Sequence, residues 1–225
     1  FEKDIVTLLD IPKEKLYNLP IGIASIDEIL SRPFITDEQA KRVWGFEGKY
    51  VIVIGYNGSP AHNHIKVIKS LVFMKKQLPT NTILVCPMTY GGNPVYRKKI
   101  KRLLWNSQFE NQILENYLTA EELVCLRKAT DLFIHAQNTD ANSGTIAEYL
   151  LCRKKIVNPT WITYPHYETY GSPFYSFSNF EELPQAIMKA INDTSNKVSP
   201  LLTGNISESG WSKLACKWVE LYKKY

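Results

Sequence analysis

The sequence has few cysteines and no long apolar run. Its four cysteines form no CxxC pair, and none lies near a histidine at zinc-ligand spacing. We therefore expect free, buried thiols in a reducing compartment. No stretch reaches the ~18 apolar residues that a membrane-spanning helix needs, and no signal peptide is visible. These absences predict a cytoplasmic protein.

An excess of one charge is also absent. The 27 basic and 22 acidic residues leave a net charge of +5, and 44% of residues are hydrophobic. Such a composition excludes a disordered chain, a collagen-like chain and a disulfide scaffold. Basic residues cluster at 66–76, 97–102 and 153–155, as expected of solvated helix faces, a phosphate-binding site or a surface for anionic membranes. No nucleic-acid-binding module accompanies them, so we predict no nucleic-acid partner.

Several catalytic motifs are missing. The sequence has no GxGxxG fingerprint, no P-loop and no GxSxG nucleophile elbow. His62 and His64 are close in sequence, but no carboxylate or third histidine joins them, so we predict no metal site. We interpret Asp131 as a structural cap at the start of a strand, and His135 as a core histidine.

From residue 50 onward, short apolar strands alternate with helical segments. Residues 50–56 form a β-branched run typical of a buried parallel strand, and 61–78 has apolar residues at helical spacing. Further strands are predicted at 82–87, 112–116, 131–136 and 155–158, and further helices at 95–105, 119–129, 143–153, 180–193 and 209–224. This alternation predicts an α/β, Rossmann-like, doubly wound parallel sheet with helices on both faces.

Ligands of such sheets bind beyond the carboxyl ends of the strands. After the first strand, Gly55, Asn57 and Ser59 form a turn that leads to His64 at a helix start. Backbone N–H groups at a helix start favour a phosphate, and the side chains of Asn57, Ser59 and His64 could add donors. A plain strand-to-helix turn explains the same residues.

Two more loops lie at the predicted carboxyl edge. In the second, Gly91 and Gly92 would let a ligand approach the backbone, and Tyr90 could stack on a base or sugar, although an ordinary glycine turn is the alternative. In the loop that follows the last predicted strand, at 155–158, aromatic residues could line a site or simply pack. They are His166, Tyr167, Tyr170 and Tyr175.

The loop after residue 136 is the most informative. Asp140 lies in the loop, and Glu148 follows eight residues later on a helix that Ser143, Gly144 and Thr145 open. The free N–H groups of these three residues would hold an anion between the two carboxylates. This arrangement suits a nucleotide sugar, with ribose hydroxyls at one end, a diphosphate in the middle and sugar hydroxyls at the other.

The segment 121–157 resembles the most diagnostic stretch of GT-B-fold glycosyltransferases. Many of those enzymes have Glu where this chain has Asp140, and a Gly-Pro turn where this chain has basic residues at 153–155. The first two loops are similar to those of bacterial TDP-N-acetylfucosamine:lipid II N-acetylfucosaminyltransferases and related family-4-like glycosyltransferases. The residues at these motif positions are Asn57, Ser59, Asn63, His64, Tyr90, Gly91 and Tyr96.

The resemblance implies a donor site for a nucleotide-diphosphate sugar. Glu148 would bind the ribose hydroxyls and Asp140 the donor sugar. The diphosphate would contact Ser143, Gly144, Thr145, Asn57, Ser59 and His64, beside the turn at Gly55, and the base would contact Tyr90 and Gly91. Enzymes of this fold stabilise the leaving diphosphate with such donors and a helix dipole, so we expect no metal and no cofactor.

The resemblance also implies a second half of the enzyme. The chain starts at Phe1, and we expect an N-terminal domain before it that carries the acceptor site and the unidentified catalytic base. Residues 1–49 would then be a lead-in from that domain, 50–200 the Rossmann-like C-terminal half of a GT-B fold, and 201–225 a helix that packs back on the missing domain.

The implied activity is sugar transfer to a lipid-linked or polysaccharide acceptor in bacterial surface glycan synthesis. The enzyme would associate peripherally with the cytoplasmic face of the membrane, and this fragment alone would be inactive. A nucleotide-sugar 2-epimerase of the same fold and a non-catalytic α/β nucleotide-binding module are the alternatives.

Overall fold

Six strands form one sheet in the structure, a computed structural model that describes residues 12–224. They are β1 (Tyr50–Ile54), β2 (Thr82–Pro87), β3 (Glu110–Leu114), β4 (Leu132–Ile134), β5 (Lys155–Pro159) and β6 (Phe174–Phe177). All pairs are parallel, and the spatial order is β3-β2-β1-β4-β5-β6. The chain moves outward from β1 on one side and from β4 on the other, so the predicted doubly wound sheet is confirmed and its switch point lies between β1 and β4.

Ten α-helices occur within residues 12–224. They are α1 (Ala24–Leu30), α2 (Asp37–Trp44), α3 (His64–Phe73), α4 (Pro94–Ser107), α5 (Ala120–Ala129), α6 (Gly144–Leu151), α7 (Pro165–Glu168), α8 (Leu183–Asn192), α9 (Pro200–Ser207) and α10 (Trp211–Lys224). None of these helices is long and apolar enough to cross a membrane.

The side chains of β1 divide between two cores. Val51 and Val53 pack in one cluster with residues of α5 and α6, whereas Ile52 and Ile54 pack in another with residues of α3, α4 and α8. Successive side chains of a strand point to opposite faces of its sheet. A strand covered by helices on both faces is apolar throughout, which explains the unbroken apolar run and confirms the predicted layers.

Two predictions differ from the structure; in addition, strand β6 and helices α1, α2 and α7 were not predicted. The helix predicted at 61–78 spans only His64–Phe73, because Asn63 has a left-handed backbone (φ 53°) and 3-10 turns flank the helix on both sides. Tyr175 does not lie in a loop that lines the site: it is buried in β6, and its hydroxyl donates to Asp193 Oδ2 at 2.9 Å. Helix α9 was not predicted.

The described part of the predicted lead, residues 12–49, packs on the sheet layer. Helix α2 begins with a capping box in which Thr36 Oγ1 accepts from Gln39 N and Gln39 Oε1 accepts from Thr36 N. Ile26 of α1 and Ala40 of α2 are fully buried in the core cluster of α5 and α6. Residues 1–11 lie outside the described residues, and the proposed domain boundary at 49 stays a prediction.

Helix α10 contacts the segment that precedes the sheet. Trp218 Nε1 donates to the Pro20 carbonyl at 2.9 Å, and Ser212 N donates to Asp27 Oδ2 at 3.1 Å. Part of its tryptophan face is therefore covered within this chain. Packing against a further domain stays a prediction.

Asp131 joins the beginnings of β1 and β4. Its Oδ2 accepts from Val51 N and from Lys41 Nζ, each at 2.7 Å. The interpretation of Asp131 as a structural cap is confirmed. This contact holds the two central strands in register below the switch point.

Candidate functional site

The loops that follow β1 and β4 are bonded to each other across the switch point. Asn63 Nδ2 donates to the Ala136 carbonyl at 2.8 Å, and Asn138 N donates to the Ala61 carbonyl at 3.0 Å. Two of the predicted loops thus form one continuous surface at the carboxyl edge, where ligands of doubly wound sheets bind.

Side-chain acceptors hold the first loop in shape. Gly55 ends β1 with φ 63°, a conformation that favours glycine. Asn57 Oδ1 accepts from Ser59 N at 2.8 Å, and Ser59 Oγ accepts from Ala61 N at 3.3 Å. These bonds use the acceptors of Asn57 and Ser59 for the turn itself. The Asn57 amide group and the Ser59 hydroxyl hydrogen remain as donors for a ligand.

His64 lies inside this turn. Its ring is fully buried, Nδ1 lies 3.2 Å from Tyr96 Oη, and Nε2 has no partner within residues 12–224. A Cβ atom added to Gly55 would lie 2.9 Å from Nε2, so the ring packs directly beneath that glycine. Burial lowers the pKa of His64 to about 4. At neutral pH the buried His64 ring is therefore uncharged, and its contact with a diphosphate stays a prediction.

His62 was not predicted as a site residue, yet its buried ring lies between Tyr56, after β1, and His135, after β4. Its ring centroid lies 4.3 Å from that of Tyr56 and 6.5 Å from that of His135. Both ring nitrogens are buried without a partner in the described part of the chain. Burial first, and then the nearby His64 and His135, lower the pKa of His62 to about 3. No sequence motif distinguishes this histidine from an ordinary loop residue.

His135 is the bonded core histidine that the sequence predicts. The Asn158 amide nitrogen donates to the carbonyls of Pro159 and Ile162, which leaves Asn158 Oδ1 as the acceptor for His135 Nδ1 at 2.8 Å. The ring is fully buried on β4's carboxyl side. Its Nε2 then points towards the loop that carries Asp140.

The carboxylate of Asp140 is held from the sheet side. Tyr164 Oη donates to Asp140 Oδ2 at 2.8 Å, His135 Nε2 lies 3.3 Å from the same oxygen, and Ala141 N donates to Oδ1 at 2.8 Å. Burial alone would raise the pKa of Asp140, but the contacts with His135 and Tyr164 outweigh it, so the pKa is lowered. Asp140 is thus a fixed anion, and its contact with a donor sugar stays a prediction.

Glu148 is buried and already bonded. Arg127 Nε donates to its Oε2 at 2.7 Å, and Ser25 Oγ of α1 donates to its Oε1. Arg127 also reaches Tyr149 Oη at 3.1 Å. Burial would lower the pKa of Arg127, but Tyr149 and Glu148 outweigh it and raise the pKa. Because a carboxylate oxygen can accept more than one hydrogen bond, the predicted ribose contact of Glu148 would add to these bonds or displace Ser25.

Helix α6 starts at the predicted anion position. Ser143 is its N-cap, and Ser143 Oγ accepts from Ile146 N at 3.4 Å. The amides of Gly144 and Thr145 belong to the first helical turn, whose N–H groups have no acceptor within a helix. These amides carry partial positive charge. A Cβ atom added to Gly144 would lie 3.5 Å from Ile23 Cγ2, so residues before α1 partly cover this turn.

A cleft of about 350 Å³ opens beside that turn. Its lining includes Ile21 and Ile23 on one side and Asn142, His166 and Tyr167 on the other. The structure therefore places two of the aromatic residues predicted from the last loop against the segment before α1. The cleft is large enough for a sugar ring, and its lining residue Asn142 directly precedes the N-cap of α6.

The first and second loops interlock through their main chains. Gly58 N donates to the Tyr90 carbonyl at 2.7 Å. A Cβ atom added to Gly92 (φ 68°) would lie 2.0 Å from the Gly58 carbonyl oxygen, and one added to Gly58 would lie 2.7 Å from the Gly91 oxygen. Glycine at 92 is thus required by the neighbouring loop, and the ligand approach that the sequence predicts at Gly91 and Gly92 stays a prediction.

Tyr90 is joined by a second aromatic side chain that the sequence analysis missed. The rings of Tyr90 and Tyr117 are parallel to within 4°, with centroids 6.2 Å apart. Tyr117 follows β3 as Tyr90 follows β2, and both rings are exposed. The carboxyl-end rule applied to β3 would have found it. The pair forms a flat aromatic surface next to the interlocked loops.

No protein-family model and no curated protein matches the sequence. Solved structures do resemble it. A glycosyltransferase from Rickettsia africae ESF-5 has a TM-score of 0.75 at 16% identity, over 99% of this chain and 60% of that one. Anabaena Alr3699/HepE in complex with UDP and glucose has a TM-score of 0.64 at 16% identity, over 88% and 52%.

The chain spans about half to three fifths of the length of these two proteins. It covers nearly all of a shorter structure, the C-terminal domain of a glycosyl transferase group 1 family protein (LpcC) from Francisella tularensis. There the TM-score is 0.59 at 12% identity, over 81% of this chain and 93% of that domain. With its six-stranded parallel sheet between helices, the chain has the Rossmann-like fold of GT-B glycosyltransferase domains.

Proposed function

We propose that this chain binds the nucleotide-sugar donor of a glycosyltransferase. The observation that carries the proposal is the joining of the predicted loops at the β1/β4 switch point. Asn63 bonds the loop after β1 to the loop after β4, and Gly58 bonds the loop after β1 to the loop after β2. The free amides of α6 open onto the same edge. A solved glycosyltransferase with this fold, and a similar structure in complex with UDP and glucose, support the donor class.

The proposed contacts follow the surface from one end to the other. Tyr90 and Tyr117 stack on the base, and Glu148 binds the ribose. The amides of Gly144 and Thr145, with the donors of the first loop, hold the diphosphate and stabilise the charge that develops as the sugar leaves. Asp140 positions the sugar. The proposal includes no metal and no cofactor.

The proposed acceptor is lipid-linked or a polysaccharide, in surface glycan synthesis at a membrane surface. The catalytic base and the acceptor site are assigned to a further domain, as the length of the solved relatives suggests. We therefore expect the 225-residue chain to bind donor without transferring sugar. Measurable sugar transfer by this chain alone would contradict that assignment.

Calorimetric titration with UDP, TDP, GDP and CMP tests the donor site. We expect saturable binding of one nucleoside diphosphate, and at least about tenfold weaker binding by Glu148→Gln, because a charged hydrogen bond to ribose is worth roughly 1.5–3 kcal/mol. Glutamine keeps the shape of Glu148, whereas alanine would leave the buried Arg127 without its carboxylate partner. Asp37→Asn, at an exposed carboxylate of α2, is the matched control. No saturable binding, or equal binding by wild type and Glu148→Gln, would reject the proposal.

A further inference from the structure

A long part of the chain contains no acidic residue. Between Gly48 and Phe109 there is no aspartate or glutamate, although 22 occur in the sequence as a whole. Basic residues are frequent in the same segment: Lys49, Lys66, Lys69, Lys75, Lys76, Arg97, Lys98, Lys99, Lys101 and Arg102. The fold places most of them on two neighbouring helices, α3 and α4.

These helices present their basic residues to solvent on one side of the sheet. Lys66, Lys69 and Phe73 are spaced i, i+3, i+7 on α3, and all three are exposed. Lys98, Arg102 and Trp105 have the equivalent i, i+4, i+7 spacing on α4 and are also exposed. Residues at these spacings share one face of a helix. We call these six residues the α3/α4 face.

The two aromatic residues lie at the same end of this face. Helices α3 and α4 each follow a parallel strand and run back along the sheet, so both end at the edge opposite the candidate site. Lys75 Nζ, just after α3, donates to the carbonyls of Ser107 and Gln108 at the end of α4, at 3.2 and 2.6 Å. Phe73 and Trp105 are each 83% exposed, more than other phenylalanine or tryptophan side chains in residues 12–224.

Most of the positive charge on the α3/α4 face and on the residues around it is not neutralised. Lys49 pairs with Glu110 and Lys101 with Glu115, both at its margin. Within the described residues, the remaining exposed cations have no carboxylate within 4.0 Å; they are Lys66, Lys69, Lys76, Lys98, Lys99 and Arg102. A dense, unpaired positive surface attracts an anionic partner.

We propose that the α3/α4 face docks on an anionic phospholipid bilayer. Lysine and arginine near such a surface bind its headgroups electrostatically, and exposed aromatic rings enter the boundary between headgroups and acyl chains. No recognised nucleic-acid-binding module accompanies these helices, which favours a bilayer over a nucleic acid. The inference rests on the membrane association in the proposed function and names the face that makes it. The candidate site, at the carboxyl edge, stays open to ligand.

Flotation with vesicles tests the proposal on the full chain. We expect binding to vesicles of equal parts phosphatidylcholine and phosphatidylglycerol, weak binding to phosphatidylcholine alone, and release by salt. Since each basic residue at an anionic surface is worth about a fivefold change in binding, Lys69→Glu/Arg102→Glu is expected to bind at least about tenfold more weakly. Phe73→Ser/Trp105→Ser, which keeps the charge, is expected to bind several-fold more weakly.

The matched control is Lys217→Glu/Lys223→Glu, which makes the same charge change on exposed positions of α10. We expect it to bind vesicles like the wild type. All variants change exposed side chains, and circular dichroism checks their folding. Equal vesicle binding by all variants, or no binding by the wild type, would overturn the proposal. So would binding confined to a single-stranded oligonucleotide probe.

Nucleotide titration of the same variants separates the two proposals. The α3/α4 face does not include the residues proposed to hold the donor, so we expect unchanged nucleotide affinity in the variants that lose vesicle binding. Loss of vesicle binding with intact nucleotide binding supports the docking face alone. Vesicle binding without any nucleotide binding would reject the donor site and leave the docking face supported.

Discussion

Ser25 and Glu148 are hydrogen-bonded although 123 positions separate them in the sequence. Ser25 belongs to α1, before the sheet, and Glu148 to α6, after four of its strands. The serine hydroxyl makes the contact that the sequence analysis assigned to a ribose hydroxyl. A nucleotide that uses Glu148 therefore meets a carboxylate that is already positioned from both sides, by Arg127 and by Ser25.

Replacing Ser25 by alanine tests whether a nucleotide takes over the hydrogen bond between Ser25 and Glu148. Glu148 Oε1 would lose its partner in a buried position, so we expect the free energy of unfolding to fall by about 1–3 kcal/mol. A nucleotide whose ribose bonds to Glu148 would replace the lost contact. Thermal unfolding with and without nucleotide measures both effects, and we expect nucleotide to raise the Tm of Ser25→Ala more than that of the wild type.

The control for this prediction is Ser31→Ala, which removes a hydroxyl bonded to the Glu28 carbonyl at the end of α1. We expect its Tm shift with nucleotide to equal that of the wild type. An equal shift for Ser25→Ala would show that the ribose does not contact Glu148.

Gly92 and Gly48 allow a matched test of the interlocked loops. Both have a positive φ, 68° and 67°, but only at Gly92 would a Cβ atom meet a neighbour, the Gly58 oxygen at 2.0 Å. For Gly48→Ala we expect a loss of roughly 1–2 kcal/mol from backbone strain alone. For Gly92→Ala we expect a larger loss and weaker nucleotide binding, because the first two loops must separate. Denaturant unfolding and calorimetry measure these effects, and equal stability of the two variants would contradict the prediction.

The buried histidines predict a loss of stability in mild acid. The pKa values of His62 and His64 are lowered to about 3 and about 4 in the folded chain, against about 6.5 when unfolded. As the pH falls below about 6.5, the unfolded chain gains protons that the folded chain does not bind. Each histidine therefore costs about 2 kcal/mol at pH 5, and stability is fully regained above pH 7.

Denaturant unfolding between pH 7.5 and pH 5 measures this loss. In His62→Phe we expect about half of it to disappear, because an aromatic ring of similar size replaces the titrating group. A pH profile parallel to that of the wild type would show that His62 does not contribute.

The close contact between Gly22 and Trp211 attaches the start of α10 to the segment before the sheet. A Cβ atom at Gly22 would lie 2.7 Å from the backbone Cα of Trp211, so Gly22→Ala must displace the start of that helix. We expect faster hydrogen–deuterium exchange in 211–224 and unchanged exchange in β1. Gly204, in the middle of α9, has nothing within 4 Å. Gly204→Ala is therefore expected to stabilise the chain by up to about 1 kcal/mol. Unchanged exchange in 211–224 of Gly22→Ala would refute this attachment.

The sheet was largely predictable because its central strands are covered on both faces. Such strands are continuous apolar runs, and the runs at 50–56 and 82–87 predicted β1 and β2 in this way. β6 was missed because its four residues look like an aromatic loop. Helix α2 was also missed, although the Thr36–Gln39 capping box was readable in the sequence.

The candidate site was predictable in place but not in detail. The carboxyl-end rule identified the loops after β1, β2 and β4, which the structure brings together. It could not show that Gly92 serves the neighbouring loop, or that Ser25 reaches Glu148. Both facts depend on contacts between distant parts of the chain, which no local pattern encodes.

The interlocked glycine loops also bear on how this site can change. Their spacing is set by main-chain atoms of Gly58 and Gly92, so exchanging the ring at Tyr90 changes the side chain presented at this edge without moving the two loops. If the proposed donor site holds, nucleotide preference in this chain can therefore be altered one side chain at a time, provided that the two glycines are kept.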